Sequence, residues 1–211
     1  MIPTKEEWHD ALAARHGADL QEKFSRAEVV ICGLGGLGSN IAVSLARAGV
    51  GHLHLIDFDR VDISNLNRQQ YFPEQLGTVK TAALRETLQR IAPYICVTAE
   101  TVRLTEENIP RLLAPYPIIC EAFDKADQKA MLVNTVLEQL PAAYLISGNG
   151  MAGLSSANRI VTRRVTKRFY LCGDGESDIA DGLGLISARV AVCAAHEAAM
   201  VLRIIAGELD A

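Results

Sequence analysis

A glycine-rich turn between an apolar run and a helix leaves this chain few choices of fold. The run AEVVIC is continuously apolar after its first two residues, as is typical of a strand at the centre of a parallel sheet. In the turn that follows, Gly33, Gly35 and Gly38 form a GxGxxG pattern, to which Gly36 adds a fourth glycine. The first glycine permits a tight turn, the second lets the backbone approach a ligand, and the third allows close helix–strand packing. Because the helix presents free N–H groups at its start, the segment predicts a nucleotide phosphate site.

The remainder of the chain alternates apolar runs with amphipathic ones. Further strands are predicted at HLHLID, ICVTAE, IICEAF and AYLISG, and helices at 39–49, 78–91, 106–113 and 126–140. Beyond residue 150, ANRIVTRRV and KRFYLCG predict two antiparallel strands, and a buried apolar helix is predicted over 186–205. This order predicts an α/β fold with a Rossmann-like, doubly wound, mostly parallel sheet that carries the antiparallel strands at its C-terminal edge.

The chain is expected to form a single domain over 1–211, because 211 residues fit one α/β unit. Within it we distinguish an N-terminal helical arm (1–26), a nucleotide-binding part (27–150) and a part with the antiparallel strands and the last helix (151–211). In the arm, apolar residues four or eight apart predict one amphipathic helix over 5–25.

Composition and charge argue against several kinds of partner. The formal net charge of −4 gives no general attraction to nucleic acid, and the basic run RIVTRRVTKR is interpreted as the solvated face of a strand. The N-terminal segment has no signal-peptide core and the chain has no 18-residue uncharged apolar run, so we expect a cytoplasmic protein without a membrane partner. Five cysteines without a CxxC pair predict no structural zinc and no disulfide framework.

A polar block after the second strand bears on which nucleotide is bound. Asp57 ends that strand, where a carboxylate can accept hydrogen bonds from ribose hydroxyls. The glycine turn and Asp57 alone favour NAD. The block DFDRVDISNLNRQ adds Asp59, Asn65 and Arg68, and Lys80 lies at the start of the next helix. Two cations near one pocket suit a triphosphate better than a nicotinamide, unless Arg68 and Lys80 are ordinary surface cations.

A third element is the acidic segment CEAFDKADQK after the fourth strand. Asp124 lies outside the carboxyl end of that strand, where ligands bind in sheets of this type. It is a candidate ligand of Mg²⁺, which takes one or two carboxylates together with phosphate oxygens. The alternative is that Asp124 caps the following helix. Asp127, one turn further on, is interpreted as an acid that the helix dipole favours.

In their order, the segments GLGGLGSN, AGVGHLHLIDFDRVDISNLNRQ, GTVKT and FDKAD closely resemble the ubiquitin-activating-enzyme-like superfamily, in particular the ThiF-type adenylyltransferases of sulfur-carrier proteins. The short length and the tail LCGDGE…DGLGLISARVAVCAAHEA are similar to the compact ThiF branch associated with thiamine biosynthesis. The resemblance extends from about residue 21 onward. Its DFDRVDISNLNRQ block is highly specific, whereas GxGxxG is not.

The resemblance implies an enzyme that binds ATP and Mg²⁺ and adenylates the C-terminal Gly-Gly carboxylate of a ubiquitin-fold, ThiS-like sulfur carrier. Pyrophosphate would be released, and the product would lead to the carrier thiocarboxylate in thiamine biosynthesis. Asp57 would take the ribose, and Asp124 would hold the metal. The nucleotide-binding residues that this reading assigns are Gly33, Gly35, Gly36, Gly38, Asp57, Asp59, Asn65, Arg68 and Lys80.

The resemblance also implies a homodimer with composite sites and a sulfur donor enzyme as a further partner. An arginine from the partner's N-terminal helix would reach the phosphates, and Arg15 is the candidate here, with a solvated helix charge as the alternative. Many relatives carry a reactive cysteine after the fifth strand. Cys172 lies in about that region, although Asp174 and Glu176 beside it would disfavour its thiolate.

Two other functions stay open at the level of sequence. One is a related adenylating enzyme that acts on another sulfur carrier, a peptide or a tRNA. The other is an NAD-binding redox module, for which tight NADH binding without ATP binding would be the evidence. A pure scaffold protein would leave the set of Asp57, Arg68, Lys80 and Asp124 unexplained.

Overall fold

In the computed structural model, which describes residues 2–211, the chain builds one seven-stranded sheet with helices on both of its faces. The strands are β1 (Glu28–Cys32), β2 (His52–Asp57), β3 (Cys96–Thr101), β4 (Ile118–Glu121), β5 (Tyr144–Gly148), β6 (Val161–Arg164) and β7 (Phe169–Gly173). The helices are α1 (Lys5–His16), α2 (Ala18–Arg26), α3 (Gly36–Ala48), α4 (Lys80–Ile91), α5 (Ile109–Leu113), α6 (Ala126–Gln139) and α7 (Ser187–Ala206).

The strand order is β3-β2-β1-β4-β5-β7-β6. Strand β1 pairs in parallel with β2 on one side and with β4 on the other. The order in which strands are added to the sheet therefore reverses between β1 and β4. In open α/β sheets, ligands bind in the crevice outside the carboxyl ends of the strands at such a switch point. The predicted doubly wound, mostly parallel sheet is therefore confirmed, and it places the functional crevice beside the glycine turn.

The C-terminal edge of the sheet contains one antiparallel strand. Strands β6 and β7 pair antiparallel with each other, as predicted, but β7 pairs in parallel with β5. Only β6 therefore runs against the sheet. The carboxyl end of β7 consequently lies at the same edge as those of β1, β4 and β5, where the crevice is.

The prediction of one helix over 5–25 is wrong. Gly17 separates α1 from α2 with a backbone φ of 94°, a conformation that glycine adopts without the steric cost of a Cβ. Helix α1 buries none of its residues, whereas α2 buries Gln21 and Phe24. The arm is thus an exposed helix followed by a packed one.

Two apolar clusters cover the two faces of the sheet. Val29 and Ile31 of β1 belong to the cluster with α3, α4 and α7, while Val30 and Cys32 point to the cluster with α5 and α6. This alternation follows from the two-residue period of a strand. Helix α7 packs on α3 and on the sheet, which explains the apolar sequence predicted as a buried helix. Within 2–211, no helix combines the length and the apolarity needed to cross a membrane.

Candidate active site

A cavity of about 550 Å³ lies outside the carboxyl ends of β1, β2, β4 and β5. Its lining includes eight of the predicted nucleotide residues and the predicted metal ligand, which the chain brings together from four separate segments. They are Gly33, Gly35, Gly36, Asp57, Asp59, Asn65, Arg68 and Lys80, with Asp124 as a ninth. Gly38 is buried in α3 behind the turn and does not line the cavity.

The glycines of the turn have different roles. A Cβ on Gly38 would lie 1.8 Å from the carbonyl oxygen of Gly33, so Gly38 is needed for helix α3 to pack against the turn. Gly33 has a φ of 90°, and a Cβ there would meet Ala122 and Phe123. A Cβ on Gly35 would have only Gln69 Nε2 within 4 Å, at 3.8 Å. The protein itself does not require a glycine at 35, which leaves open backbone for a ligand to approach.

Asp57 connects the glycine turn to the turn after β2. Its Oδ2 accepts a hydrogen bond of 2.6 Å from the N–H of Leu34, and its Oδ1 accepts one of 2.7 Å from the N–H of Asp59. The Tyr71 hydroxyl donates to the Leu34 carbonyl at 2.8 Å and fixes the same turn from the other side. Each carboxylate oxygen has a second lone pair. Asp57 therefore positions the turn while retaining acceptor capacity at the cavity wall.

Two polar atoms in the floor of the cavity are buried without a hydrogen-bond partner among the described residues. They are Nε of Arg68 and Oε1 of Gln69. The Arg68 guanidinium is held by its Nη1, which donates to the Ser64 carbonyl at 3.0 Å and to Asn67 Oδ1 at 2.8 Å. Buried polar atoms of this kind are nearly always paired. Both atoms belong to cavity-lining residues, but neither atom is itself exposed to solvent.

The polar block between β2 and α4 forms a turn capped by its own side chains. Asp62 Oδ1 accepts from the N–H of Ser64 at 2.9 Å, and Asn65 Oδ1 accepts from the N–H of Asp62 at 3.1 Å. Lys80 is the first residue of α4, is 6% exposed, and places its Nζ 3.2 Å from Asp59 Oδ2. Asp59 is thus an ion-pair partner that holds the Lys80 ammonium at the cavity.

Asp124 lies just beyond β4, exposed to solvent at the cavity wall, whereas the exposed Asp127 lies outside the lining. Among residues 2–211, no group of three or more His, Cys, Asp or Glu side chains is placed to hold a metal ion. A single carboxylate is nevertheless compatible with Mg²⁺, because phosphate oxygens and water supply the other ligands when a nucleotide is present.

The sequence model described as the ThiF family matches residues 9–210. The chain belongs to the ThiF family. This confirms the resemblance at the level of the family.

Among curated relatives of this ThiF-family chain, the "Sulfur carrier protein adenylyltransferase" of Thermus thermophilus is 41% identical over 109 residues, which is 51% of the chain and 40% of that protein. The "Molybdopterin-synthase adenylyltransferase" of Salmonella typhimurium is 37% identical over 113 residues, or 53% and 45%. The matched segments thus span less than half the length of these relatives.

Solved structures show the same fold over the whole ThiF-family chain. The E. coli tRNA N6-threonylcarbamoyladenosine dehydratase TcdA, in complex with ATP, superposes with a TM-score of 0.86 at 20% identity, covering 99% of this chain and 98% of that one. E. coli MccB superposes with a TM-score of 0.73 at 22% identity, covering 94% and 65%. At these identities the likeness concerns the fold alone.

Two residues that the family resemblance suggested lie away from the cavity of this ThiF-family chain. Arg15 is exposed on α1, whose Leu12 lies by Gly49 at the end of α3 remote from the glycine turn. Arg15 of this chain is therefore not part of its own cavity lining. Cys172 of β7 is fully buried, and burial together with Glu197 raises the pKa of its thiol to about 12. The sequence had suggested that the adjacent acids Asp174 and Glu176 would disfavour the thiolate. In the structure, burial and Glu197 disfavour it instead.

Some cavity residues were missed by sequence reasoning. Lys129 of α6 donates to the fully buried Glu121 carboxylate at 2.7 Å and to the Phe123 carbonyl at 3.2 Å. The loops after β5 and β7 supply the rest of the wall. The sequence signal for them is the pair of glycine-rich segments SGNGMAG and CGDGE, to which the prediction assigned no cavity residue other than the candidate Cys172 beside the second.

Behind the cavity wall, Glu197 of α7 is fully buried, and neither carboxylate oxygen has a hydrogen-bond partner among the described residues. A Cβ on Gly148 would lie 2.6 Å from its Oε1. Burial raises the pKa of Glu197 well above its ordinary value of 4.5, and Lys129 offsets this only in part. In the unfolded chain the carboxyl group ionises near its ordinary pKa. The stability contributed by protonated Glu197 is therefore complete below about pH 4.5 and is lost as the pH rises through the folded-state pKa.

We expect Glu197→Gln to raise the melting temperature at pH 8 by roughly 2–4 °C for each kcal/mol gained, with a gain of about 1–2 kcal/mol. The amide keeps the shape of the side chain and removes the titrating proton. Scanning calorimetry at pH 8 and at pH 4.5 measures the difference, which should shrink at the lower pH. Glu138→Gln, on the exposed side of α6, is the control. A gain that is the same at both pH values would contradict a raised pKa as its cause.

Proposed function

We propose that this ThiF-family chain is an adenylyltransferase that uses ATP and Mg²⁺ to activate the C-terminal Gly-Gly carboxylate of a ThiS-type, ubiquitin-fold sulfur carrier. The observation that carries the proposal is that Arg68, Lys80 and Asp124 line the same cavity as the open backbone of Gly35. Two cations, a carboxylate and a glycine turn suit a triphosphate with its metal. The relatives named as adenylyltransferases of a sulfur carrier and of molybdopterin synthase support the same chemistry.

ATP fits the polar groups of the cavity. Arg68 Nε and Gln69 Oε1 are a donor and an acceptor without a partner among the described residues, and both belong to residues that line the cavity. The free lone pairs of Asp57 suit ribose hydroxyls, and Lys80 and Asn65 line the same cavity as candidate donors to phosphate oxygens. The structural neighbour TcdA is described in complexes with ATP and with AMP, which supports an adenine nucleotide over NAD.

Asp124 is the residue that would hold Mg²⁺, and the ion would supply neutralisation of phosphate charge. Arg68 and Lys80 supply the same neutralisation from the protein. This is the main requirement of the reaction, because the incoming carboxylate and the phosphates are both anionic. A carboxylate is already ionised at pH 7, so no side chain is needed as a general base.

In the proposed reaction, an oxygen of the carrier's terminal carboxylate attacks the α-phosphorus of ATP. The new bond is an acyl–phosphate bond, the bond from the α-phosphorus to the bridging oxygen breaks, and pyrophosphate leaves with the electron pair. The chain's task is to align the two substrates and stabilise charge on the departing phosphates. Conversion of the acyl-adenylate to a thiocarboxylate would need a sulfur donor enzyme as a separate partner.

Three finer parts of the proposal come from the resemblance. The tail segment similar to the compact ThiF branch supports thiamine biosynthesis as the pathway. A homodimer would let Arg15 of one copy reach the phosphates of the other. We include Cys172 in the sulfur step only if a conformational change exposes it, since it is fully buried here.

ATP–pyrophosphate exchange with a recombinant ThiS-type carrier tests the proposal. We expect exchange with the intact carrier, no exchange with the same carrier lacking its two terminal glycines, and a carrier mass increased by one AMP. Tight NADH binding without ATP binding in calorimetry would overturn the proposal in favour of a redox module.

We expect Arg68→Ala to lower the rate of this exchange by roughly 10²-fold, because it removes a donor aimed at developing phosphate charge. Arg85→Ala removes an exposed arginine of α4 outside the cavity lining and is the matched control. Initial exchange rates at saturating ATP measure both variants. Equal rates for Arg68→Ala and the wild type would remove Arg68 from the site.

A further inference from the structure

Part of the cavity wall is formed by two loops to which none of the predicted nucleotide residues belongs. We call residues 149–157 the β5 loop and residues 174–186 the β7 loop. From the first, Asn149, Gly150, Met151 and Ala152 line the cavity; from the second, Ser177, Asp178, Ile179 and Leu185 do so. Neither loop contains a helix or strand longer than a single 3₁₀ turn, so contacts between them must fix their shape.

One buried guanidinium joins the two loops. Arg189 of α7 is 4% exposed, and its Nη1 donates to the carbonyls of Ser155 and Ser156, the latter at 2.9 Å. Its Nη2 donates to Asp174 Oδ2 in a pair whose side chains are 4% and 2% exposed. A planar guanidinium can bind a carboxylate and two carbonyls at once because its donors form a fixed fork.

Asp174 shapes the start of the β7 loop. Its Oδ1 accepts hydrogen bonds of 2.9 Å from the backbone N–H groups of Glu176 and Ser177. Burial alone would raise the pKa of Asp174, but these bonds and the one from Arg189 lower it to about 2. The Asp174 carboxylate is therefore ionised near neutral pH and available to pair with Arg189.

The loops also touch through backbone that has no room for side chains. A Cβ on Gly150 would lie 2.1 Å from Asp174 Oδ1, and a Cβ on Gly173 would lie 1.8 Å from the Asn149 carbonyl oxygen. On the opposite side, Asn67 Nδ2 donates to the Leu185 carbonyl at 3.1 Å. Since Asn67 also accepts from Arg68, the β7 loop is tied to the phosphate side of the cavity.

We propose that Arg189 is a positioning residue for the second substrate, because it holds the β5 loop and the β7 loop as a rigid wall at the acceptor end of the cavity. The inference rests on the proposed function. With a nucleotide on Gly35, Asp57 and Lys80, we assign the incoming carboxylate to this part of the cavity. That wall includes the backbone of Gly148 and Gly150, where a Cβ would meet Glu197 or Asp174, so packing within the protein fixes its shape. Alignment of the incoming carboxylate with the phosphate is the step that loop geometry controls.

The test separates the affinity for each substrate in Arg189→Lys, with a recombinant ThiS-type carrier ending in Gly-Gly and ATP as probes. Lysine keeps the charge but lacks the planar fork. We expect the KM for the carrier to rise by at least about 10-fold, while the Kd of ATP in calorimetry stays within about 2-fold of the wild type. A general loss of structure would not raise the KM for the carrier while leaving the Kd of ATP unchanged.

Arg159→Ala is the matched control. Arg159 pairs with Glu176 and joins the same two regions, but the two side chains are 51% and 69% exposed. Exposed ion pairs contribute little, so its KM for the carrier should stay within about 2-fold of the wild type. Should Arg189→Lys fail to fold, Asp174→Asn takes its place, since it removes the charge on the other side of the pair.

The outcomes distinguish the two proposals. Absence of carrier-dependent exchange in the wild type overturns the proposed function and this inference with it. Exchange in the wild type with an unchanged carrier KM in the variant overturns the inference alone. So does an equal loss of ATP and carrier affinity, or failure of both Arg189→Lys and Asp174→Asn to fold, because each makes the Arg189 contact merely structural.

Discussion

Asp124→Asn is expected to lower carrier-dependent ATP–pyrophosphate exchange by roughly 10³-fold, the upper end of what one charged group at a reacting phosphate contributes. The substitution keeps size and shape and removes the negative charge that would hold Mg²⁺ at the cavity wall. Because Asp124 is exposed, the variant should fold as the wild type does. Exchange rates measured across a range of Mg²⁺ concentrations test it, and the variant should need more Mg²⁺ for its residual activity.

Asp127→Asn is the control that separates a metal ligand from a general acidic effect. Asp127 is also exposed, lies three residues further along the chain and does not line the cavity. Removing it should leave the exchange rate within about 2-fold of the wild type, because its contribution is a helix-terminal charge. Chelation by EDTA should abolish exchange in the wild type. Equal effects of the two substitutions would show that Asp124 has no particular role.

The sheet was predictable because its evidence is local. Each strand is a short apolar run that ends at a polar or glycine-rich turn, and a parallel sheet follows once helices alternate with those runs. The switch point between β1 and β4 then places the carboxyl ends of both strands at one crevice. These cavity-lining residues could be found for the same reason, since Asp57 ends a strand and Gly35 and Asp124 follow shortly after strand ends.

Features that depend on distant partners were not predictable. The hairpin sequence gives no sign that β7 would pair in parallel with β5, because that choice depends on sheet closure rather than on its own pattern. The Arg189–Asp174 pair joins residues that are separated by a loop and a turn of helix, and neither residue is unusual in the sequence. The single helix predicted over 5–25 failed for a different reason: periodicity was given more weight than Gly17, which breaks it.

Asp57 shows how a prediction from sequence can be incomplete. An acid at that strand end indicates a ribose contact, and its place at the cavity agrees with that reading. The structure adds that both carboxylate oxygens already accept backbone N–H groups, one from the glycine turn. Replacing Asp57 would therefore disturb the turn as well as the nucleotide contact. A loss of nucleotide binding in an Asp57 variant could not be assigned to the ribose contact alone. Substitutions of the glycines are therefore the cleaner test of the nucleotide site.

Gly38→Ala should lower stability, whereas Gly35→Ala should leave stability almost unchanged and lose the stabilisation by ATP. At Gly38 the new methyl group would lie 1.8 Å from a backbone carbonyl oxygen, so α3 must move off the turn. We expect a loss of about 3 kcal/mol or more and a melting temperature lower by roughly 6–12 °C. At Gly35 the methyl group has space, and the melting temperature without ligand should change by less than about 2 °C.

The difference appears when ATP and Mg²⁺ are added in calorimetry. Ligand at 100 times its Kd stabilises the folded state by about 2.7 kcal/mol, so wild-type melting should rise by several degrees. In Gly35→Ala this rise should be lost, since the methyl group fills the space over the backbone that we assign to the phosphates. Gly38→Ala should keep a rise from its lower starting temperature if enough folded protein remains. A full rise in Gly35→Ala would mean that the phosphates do not approach the second glycine. The glycine pattern would then be explained by packing alone, and the nucleotide would have to be placed elsewhere in the cavity.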